Sequence, residues 1–367
     1  MTLHKKPSQT KTVNMFAIMT KAVVLSFLAF LFLIHRLAFA LDIILFPRLK
    51  KVSIDKPLFI VGLPRSGTTT AHRFMASHTE LFTSMPLWEL LFAPALCQKY
   101  LIWGLYRVDN AVGGLFFKVI KWIQMRLGTG LANIHPIDLT KPEEDYLGLL
   151  PFDGCFLRFL MFPFSKSTWD LGDFSSMTET RRKKLLTAYR GLVQRHLIFR
   201  GEDKRLLSKN PSFTTWVSDL AKTFPDAEFI GMHRDLEQTV PSQLSSIHSG
   251  LKIFGYSAKD PHIVKRFVML LKLYKSRIKV DASNLGSRML ILDFRELVGT
   301  PDKAIEVLYG HFELPQRNNL DTIRLTDLMV ETKAYKSKHF YKLQDFGLKS
   351  QDLIPSNTPP KLKNSSA

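Results

Sequence analysis

The chain has 367 residues, of which 46% are hydrophobic and 23% are charged, so it can bury a large core in one or two domains. Its formal net charge of +19 favours anionic partners such as nucleic acid, acidic lipid or a polyanionic small molecule. The positive charges are spread along the chain without a nucleic-acid-binding motif, which argues against nucleic acid. The two cysteines, Cys97 and Cys155, are too few for a disulfide framework, and no repeat indicates a solenoid or propeller.

The N-terminal part of the chain contains a long apolar segment. Residues 22–34 are apolar except for Ser26, and a second, mainly apolar run follows His35 and Arg36 and continues to Phe46. Apolar character extends past the weak cleavage site LAFALD, which favours an uncleaved membrane anchor over a signal peptide. The alternative is an interfacial helix pair in which His35 and Arg36 snorkel. We therefore expect a single-pass or monotopic protein in contact with membrane lipid. Basic residues on both sides leave its orientation open.

Apolar strand patterns alternate with helical patterns after this segment. The predicted strands are 57–61, 205–211, 227–235 and 288–294, and the predicted helices are 68–77, 88–131, 138–150, 178–200, 212–224, 236–247, 261–283 and 301–312. A capping box of Thr140 and Glu143 would begin the helix at 138–150. The alternation predicts an α/β domain of the doubly wound type, with a mainly parallel sheet flanked by helices.

The stretch FIVGLPRSGTTTAHRF, residues 59–74, has the strand–loop–helix context of a phosphate-binding loop. Gly62 and Gly67 have the required spacing, but Thr68 stands where the lysine of a nucleoside triphosphatase would be, and Arg65 lies inside the loop. Backbone N–H groups at a helix N-terminus bind one phosphate group well. Without the lysine, nothing in the loop is suited to gripping a triphosphate tail. The sequence therefore predicts a P-loop-type domain that binds a different nucleotide.

The string PRSGTT and its strand resemble the 5′-phosphosulfate loop of the sulfotransferases that use 3′-phosphoadenosine 5′-phosphosulfate (PAPS). The resemblance covers roughly residues 57–350 and is to the bacterial-type branch, which is similar to the tyrosylprotein and carbohydrate sulfotransferases. Its blocks follow in the right order: MPLWELLFAP (85–94), IHPIDLTKPEED (134–145), RLLSKNP (205–211), FPDAEFIGMHRD (224–235), ILDFRELVGTP (291–301) and HFYKLQDFGL (339–348). Together with the apolar N-terminal segment and a C-terminus rich in Pro, Lys and Ser, it predicts three regions: a basic segment and membrane anchor (1–52), a sulfotransferase domain (53–350) and a disordered tail (351–367).

The resemblance also implies a binding site for PAPS. The loop would hold the 5′-phosphosulfate, with Arg65 beside the sulfonate. Arg234 and, eight residues later, Ser242 would hold the 3′-phosphate, since an arginine fork and a short hydroxyl donor suit a phosphate monoester. An ion pair between Arg234 and Asp235 is the structural alternative. The predicted donor-binding residues are Arg65, Ser66, Gly67, Thr68, Thr69, Arg234 and Ser242.

Catalytic roles follow from the same resemblance. Glu89 would be the base that deprotonates the acceptor, with its pKa raised by an apolar environment. Lys209 would stabilise charge on the bridging oxygen. His135 is the alternative base, and the acidic run 143–145 could be a solvated helix N-terminus instead of a catalytic cluster. No metal site is expected, because the run has no histidine or cysteine at ligand spacing.

The sequence thus predicts a membrane-associated sulfotransferase that moves a sulfonate from PAPS to a hydroxyl or amine. The acceptor could be a lipid, a lipid-linked compound or a carbohydrate. The rivals are a P-loop kinase or nucleoside triphosphatase, which the missing lysine disfavours, and an inactive membrane-tethered nucleotide-binding protein.

Overall fold

A computed structural model describes residues 15–115, 117–119, 138–334 and 341–354 of the chain. Its helices are α1 (Met15–Leu45), α2 (Thr68–Ala76), α3 (Leu87–Leu91), α4 (Leu96–Ala111), α5 (Lys166–Gly172), α6 (Glu179–Arg200), α7 (Val217–Thr223), α8 (Leu236–Ile253), α9 (Pro261–Leu285), α10 (Phe294–Gly299), α11 (Pro301–His311) and α12 (Asn319–Ala334). Its strands are β1 (Leu58–Gly62), β2 (Phe82–Thr83), β3 (Arg205–Lys209), β4 (Glu228–His233) and β5 (Met289–Asp293).

The described part of the chain forms a five-stranded sheet in the order β2-β3-β1-β4-β5. All neighbouring strands are parallel, with Ile60 of β1 opposite Lys209 of β3 and Ile230 of β4. The chain leaves β1 toward β2 on one side and leaves β4 toward β5 on the other. In open α/β sheets, ligands bind where such connections diverge, outside the carboxyl ends of the strands. The loops after β1 and β4 therefore occupy the position that favours a ligand.

Two apolar cores cover the two faces of the sheet. Alternate residues of β1 belong to different cores, since side chains along a strand point to opposite faces. Phe59 and Val61 pack with side chains of α6, α8 and α9, whereas Leu58 and Ile60 pack with side chains of α2, α11 and α12. Every residue of β1 is buried. The strand is therefore central and rigid, and the loop at its carboxyl end starts from a fixed point.

The structure confirms the α/β prediction of a mainly parallel sheet flanked by helices, but two predicted helices differ from it. The predicted helix 88–131 is interrupted between α3, which ends at Leu91, and α4, which begins at Leu96, and its residues 116 and 120–131 lie outside the described residues.

The predicted helix 138–150 is wrong. Residues 138–150 contain turns and then a 3₁₀ helix, Asp145–Phe152, with Pro151 inside it. The predicted capping box is also wrong, because Thr140 donates to Asp138 Oδ1 through its backbone N–H (2.9 Å) and its hydroxyl (2.7 Å). The N–H of Glu143 donates to the carbonyl of Met85. Pairing with the segment before α3 thus replaces helical bonds.

Candidate functional site

The loop after β1 is shaped by two glycines in the left-handed region. Gly62 has φ +118°, and a Cβ there would lie 2.3 Å from the carbonyl oxygen of Met232. Thr214 accepts a hydrogen bond from the N–H of Gly62 at 2.8 Å and so fixes the start of the loop. Gly67, with φ +82°, directly precedes α2. Only glycine adopts such backbone angles freely, so the sequence dictates both turns.

The N-terminus of α2 offers backbone donors to a ligand. The first backbone N–H groups of a helix have no helical partner, and the helix dipole makes this end attractive to anions. The side chain of Ser66 is fully buried and donates to the carbonyl of Leu63, so only its backbone can serve a ligand. Thr68 is buried and Thr69 is exposed. The arrangement can bind an anion through the N–H groups at the start of α2.

Arg65, Arg234 and Ser242 come together beside this loop. Arg65 has a left-handed backbone (φ +61°), and its carbonyl accepts a hydrogen bond from Arg234 Nη1 at 2.7 Å. Its side chain donates from Nε to Ser242 Oγ at 3.2 Å. Partial burial and the neighbouring charge of Arg65 lower the pKa of Arg234. Two guanidinium groups and a hydroxyl form one cationic cluster at the point where the strand connections diverge.

This cluster differs from the sequence-based picture in one respect. Arg65 was expected beside the sulfonate and apart from the Arg234–Ser242 pair, whereas its side chain contacts Ser242 directly. The predicted alternative, an ion pair of Arg234 with Asp235, is not the arrangement found, because Asp235 pairs with Arg295. Instead, Arg234 lies over the ring of Phe294, 4.1 Å from its centroid, and donates from Nε to Gln238 at 3.1 Å.

Sequence reasoning missed three residues that shape the site: Thr214, Gln238 and Phe294. Gln238 lies four residues after Arg234 on α8, and Phe294 directly follows β5. The signal for Phe294 was available, since the carboxyl ends of parallel strands meet at one edge, and Gln238 is close to Arg234 in sequence although Arg234 precedes the helix. Thr214 could not be found in this way, because its contact with Gly62 depends on how the segment after β3 folds back.

Lys209, at the end of β3, is buried between α2 and an acidic segment. Its Nζ lies 3.8 Å from Glu143 Oε2 and 3.9 Å from Glu144 Oε1. On the α2 side, burial and the charge of Lys209 lower the pKa of His72 to about 3, so His72 is neutral. His72 Nε2 lies 3.0 Å from the hydroxyl of Ser84. Lys209 thus supplies a positive charge close to the helix that begins at the loop.

The acidic segment is a built cluster and not a solvated helix N-terminus. Asp145 is buried and accepts hydrogen bonds from the hydroxyls of Tyr189 (2.5 Å) and Ser208 (3.0 Å) and from the amide of Asn210. Burial raises the pKa of Asp145 to about 6 in spite of these bonds. Glu144 keeps 29% of its side chain exposed, and desolvation raises its pKa although Lys209 opposes the shift.

Glu89 does not have the environment that the sequence predicted. It is buried, and its carboxylate lies 2.6 Å from Lys99 Nζ, 2.8 Å from His196 Nδ1 and 2.6 Å from Arg200 Nη2. Burial by itself would raise the pKa of Glu89, but these groups outweigh it and hold the pKa well below its usual range. The expected raised pKa is therefore wrong. On the other ring nitrogen, His196 lies 2.9 Å from the hydroxyl of Thr83.

His135, the alternative base, lies outside the described residues. Among the residues that the structure describes, no cluster of three histidine, cysteine or acidic side chains could hold a metal ion. A cavity of about 320 Å³ is lined by residues that include Ser84, Thr140, Pro142 and Arg200. Ser84, one of the lining residues, also contacts His72, so the cavity reaches one residue that touches α2.

Comparisons with known proteins agree with one another. A family model described as "Sulfotransferase family" matches residues 57–318. Two curated relatives, both "Omega-hydroxy-beta-dihydromenaquinone-9 sulfotransferase Stf3", from Mycobacterium bovis and Mycobacterium tuberculosis, are 25% identical over 287 residues. The match covers 72% of this chain and 64% of the length of those relatives.

Two solved structures share the fold. Sulfotransferase STF9 from Mycobacterium avium superposes with a TM-score of 0.74 and 17% identity, covering 93% of this chain and 85% of that one. Sulfotransferase STF1 from Mycobacterium tuberculosis superposes with a TM-score of 0.62 and 20% identity, covering 87% of this chain and 80% of that one. At these identities, the likeness establishes the architecture.

Proposed function

The chain belongs to the sulfotransferase family, and we propose that it transfers the sulfonate of PAPS to a hydroxyl-bearing acceptor. The observation that carries this proposal is the cluster of Arg65, Arg234 and Ser242 beside the N-terminus of α2. Two guanidinium groups, a hydroxyl and free backbone N–H groups match a ligand that carries an anion at each end of a nucleoside. Without the loop lysine, the same cluster suits a triphosphate poorly.

The donor-binding residues in this proposal are those of the loop and the cationic cluster. The N–H groups of Gly67, Thr68 and Thr69 would hold the 5′-phosphosulfate. Arg234 and Ser242 would hold the 3′-phosphate, with Arg65 bridging the two regions through its contact with Ser242. The ring of Phe294 beneath Arg234 keeps the guanidinium in place and shields one side from water.

In the transfer step, the acceptor oxygen forms a bond to sulfur while the bond from sulfur to the bridging oxygen breaks. The products are a sulfate ester and 3′,5′-diphosphoadenosine. Lys209 would stabilise the charge that develops on the bridging oxygen, in the manner of an oxyanion clamp. We assign the base role to Glu144, which would take the acceptor proton. Its pKa is raised, it is partly exposed and it lies 3.9 Å from Lys209.

Glu89 has a positioning role in this proposal. A carboxylate held by Lys99, His196 and Arg200 is a poor proton acceptor, because taking a proton would break three strong interactions. Through His196 it instead holds Thr83 of β2, and the next residue, Ser84, contacts His72. His135 remains the rival to Glu144 as base.

For the acceptor we propose an apolar, membrane-presented alcohol. The two curated relatives are named for a hydroxylated menaquinone. The long apolar helix α1 also fits an enzyme that meets its acceptor at a membrane. The cavity lined by Ser84 and Pro142 is the proposed entrance for the hydroxyl end of that molecule.

The test is to measure ligand binding and label transfer with the purified full chain. Calorimetry should detect 3′,5′-diphosphoadenosine and show no comparable binding of ATP with magnesium. Label from sulfur-labelled PAPS should pass into a membrane-lipid extract, and Lys209→Ala should lower that transfer by about 10²–10³-fold. Preference for ATP would favour a kinase or triphosphatase. Binding of the diphosphate without transfer to any acceptor extract would favour the inactive binding protein.

A further inference from the structure

Helix α1 is attached to the folded domain close to both of its ends. Near its start, Lys21 donates to the hydroxyl of Tyr256 at 2.9 Å and lies 5.4 Å from the centroid of Phe162. Near its end, Asp42 is fully buried and accepts hydrogen bonds from the N–H groups of Leu96 (2.8 Å) and Cys97 (2.9 Å). The same carboxylate pairs with Arg195 of α6 at 2.7 Å. These polar contacts fix the helix to the domain surface.

A third contact lies between these two. His35 is buried, with Nε2 3.0 Å from the carbonyl of Leu91 and Nδ1 3.0 Å from the amide of Gln98. The expected snorkelling of His35 toward a membrane surface is therefore wrong. Lys21, His35, Ala38 and Asp42 lie on one side of the helix, spaced by multiples of three to four residues and facing the protein.

The distance between the attachments is incompatible with a membrane-spanning helix. Lys21 and Asp42 are 21 residues apart, which corresponds to about 32 Å along an α-helix. The hydrocarbon core of a bilayer is about 30 Å thick. If α1 crossed it, the domain residues at both ends, including Arg195 and Tyr256, would have to cross it too. Burying such polar groups in lipid is strongly unfavourable.

Much of the remaining surface of α1 is apolar and exposed, and α4, which adjoins α1, also exposes apolar side chains. Exposed side chains on α1 include Phe16, Met19, Val23, Phe27, Phe30, Leu37, Leu41 and Ile44. On α4, Leu101, Leu105 and Val108 are exposed in one stripe. The two helices adjoin at Asp42 and Leu96, where the rings of Phe46 and Tyr100 stack 5.9 Å apart.

Positive charge borders this apolar surface. Arg36 on α1 is exposed, and so are Lys50 and Lys51, which follow the C-terminal end of α1. On α4, the guanidinium of Arg107 lies 4.9 Å from the ring centroid of Trp103. A second copy of the chain would bring like charges together, whereas anionic lipid headgroups complement them. A helix with mean hydropathy 2.4 in its most apolar window also matches acyl chains better than a typical protein interface.

We propose that α1 lies in the plane of a membrane and that its exposed face, together with that of α4, inserts into one leaflet of an anionic lipid bilayer. The protein is then monotopic, and both ends of α1 stay on the same side. Lys21, His35 and Asp42 face the protein, and the apolar side chains face the acyl chains.

Charged substitutions on α4 distinguish in-plane insertion of α1 from a membrane-spanning α1. Leu101→Glu with Leu105→Glu places two charges at positions 62% and 56% exposed, and Val307→Glu with Leu320→Glu is the matched control at 52% and 56%. The full chain is floated with vesicles of phosphatidylcholine and phosphatidylglycerol. We expect the α4 pair to lower vesicle binding about tenfold or more and the control to leave it unchanged. Unchanged binding of the α4 variant overturns the proposal.

A second measurement does not depend on any variant folding. Tags before Met15 and at the C-terminus are tested for protease access in sealed vesicles. We expect both tags on the same side of the membrane. Tags on opposite sides would overturn in-plane insertion. Stable self-association of the chain without vesicle binding would do the same, because a second copy would then occupy the face.

Thermal unfolding is the folding control for the α4 variant. A midpoint equal to that of the wild type confirms that the loss of vesicle binding comes from the changed surface.

Discussion

At the scale of single residues, Arg234 offers the most direct test of the donor site. It is held by the carbonyl of Arg65, by Gln238 and by Phe294, so its guanidinium is oriented before a ligand arrives. We expect Arg234→Ala to weaken binding of 3′,5′-diphosphoadenosine about 10–100-fold, since a hydrogen bond to a charged group contributes about 1.5–3 kcal/mol. Calorimetry measures the change.

The control for this substitution is Arg295→Ala, which removes a nearby exposed arginine that is paired with Asp235. It should leave affinity for the diphosphate within about threefold of wild type, because an exposed ion pair contributes about 0–1 kcal/mol. Equal losses in the two variants would mean that only the general positive field matters and that Arg234 has no specific contact.

The raised pKa of Glu144 gives the reaction a predicted pH dependence. Glu144 must be ionised to accept a proton, so turnover should rise with pH through its raised pKa and fall as the pH drops below it. The acid limb should therefore lie above about pH 4.3, the usual range of a glutamate. Initial rates against pH locate it. Glu144→Gln should abolish turnover, and retention of the acid limb with His135→Ala would rule out His135 as its source.

Glu89 should matter for stability. Its pKa is lowered by folding, so its contribution is present above the unfolded pKa and is lost as the pH falls through the folded pKa. We expect Glu89→Gln to destabilise the fold by about 3–5 kcal/mol, because it leaves the charge of Lys99 buried without its counter-ion. Urea unfolding measures the difference.

Glu202→Gln, which breaks the exposed pair with Arg48, is the matched control and should cost at most about 1 kcal/mol. A Glu89→Gln protein with normal stability and no turnover would return the base role to Glu89 and remove it from Glu144.

At the scale of secondary-structure elements, the loop between β1 and α2 depends on one glycine. Gly62→Ala would put a Cβ 2.3 Å from the Met232 carbonyl at a φ of +118°. We expect a loss of at least about 3 kcal/mol in unfolding free energy, because neither backbone can move without disturbing the central pair of strands. Gly310→Ala, where a Cβ meets nothing within 4 Å, should be neutral or stabilise α11 by up to about 1 kcal/mol. Chemical denaturation of both compares them directly.

Elements with strong local signals could be predicted from the sequence. The strand at 58–62 is a continuous apolar run, the strand at 228–233 has an apolar centre, and the long helix at 261–285 has apolar residues at helical spacing. The two-residue strand β2 was missed because it is too short for any pattern to show. Helix α12 was also missed.

The error at residues 138–150 has a different cause. Its capping residues suit a helix, but the segment pairs with Met85 and places Asp145 against Asn210, and these long-range contacts override the local preference. The same contacts turn an acidic run that looks solvated into a cluster around Lys209. Sequence alone names charged residues for the proposed site but cannot say which of their pKa values desolvation and pairing will shift.

At the scale of the whole molecule, the family and the fold were within reach of the sequence, because seven motif blocks occur in order and the parallel sheet follows from their alternation. The sequence did not predict how the apolar segment is attached to the domain. The predicted boundary at residue 52 separates two regions of sequence, whereas Asp42 and Lys21 bind side chains and backbone more than 50 residues away. Amphipathicity was hidden because apolar residues lie on all sides of this helix.

The buried carboxylate of Asp42 has a practical consequence for anyone who shortens the chain. Deleting the apolar N-terminal helix is a common remedy for insolubility. Here it would remove the Asp42 carboxylate that caps the N-terminus of α4 and would leave Arg195 without a counter-charge. Since α4 also supplies Lys99, which pairs with Glu89, the loss would extend through Glu89 and His196 to Thr83 of β2. Detergent extraction of the intact polypeptide is therefore the better route to active material than trimming it to the sulfotransferase core.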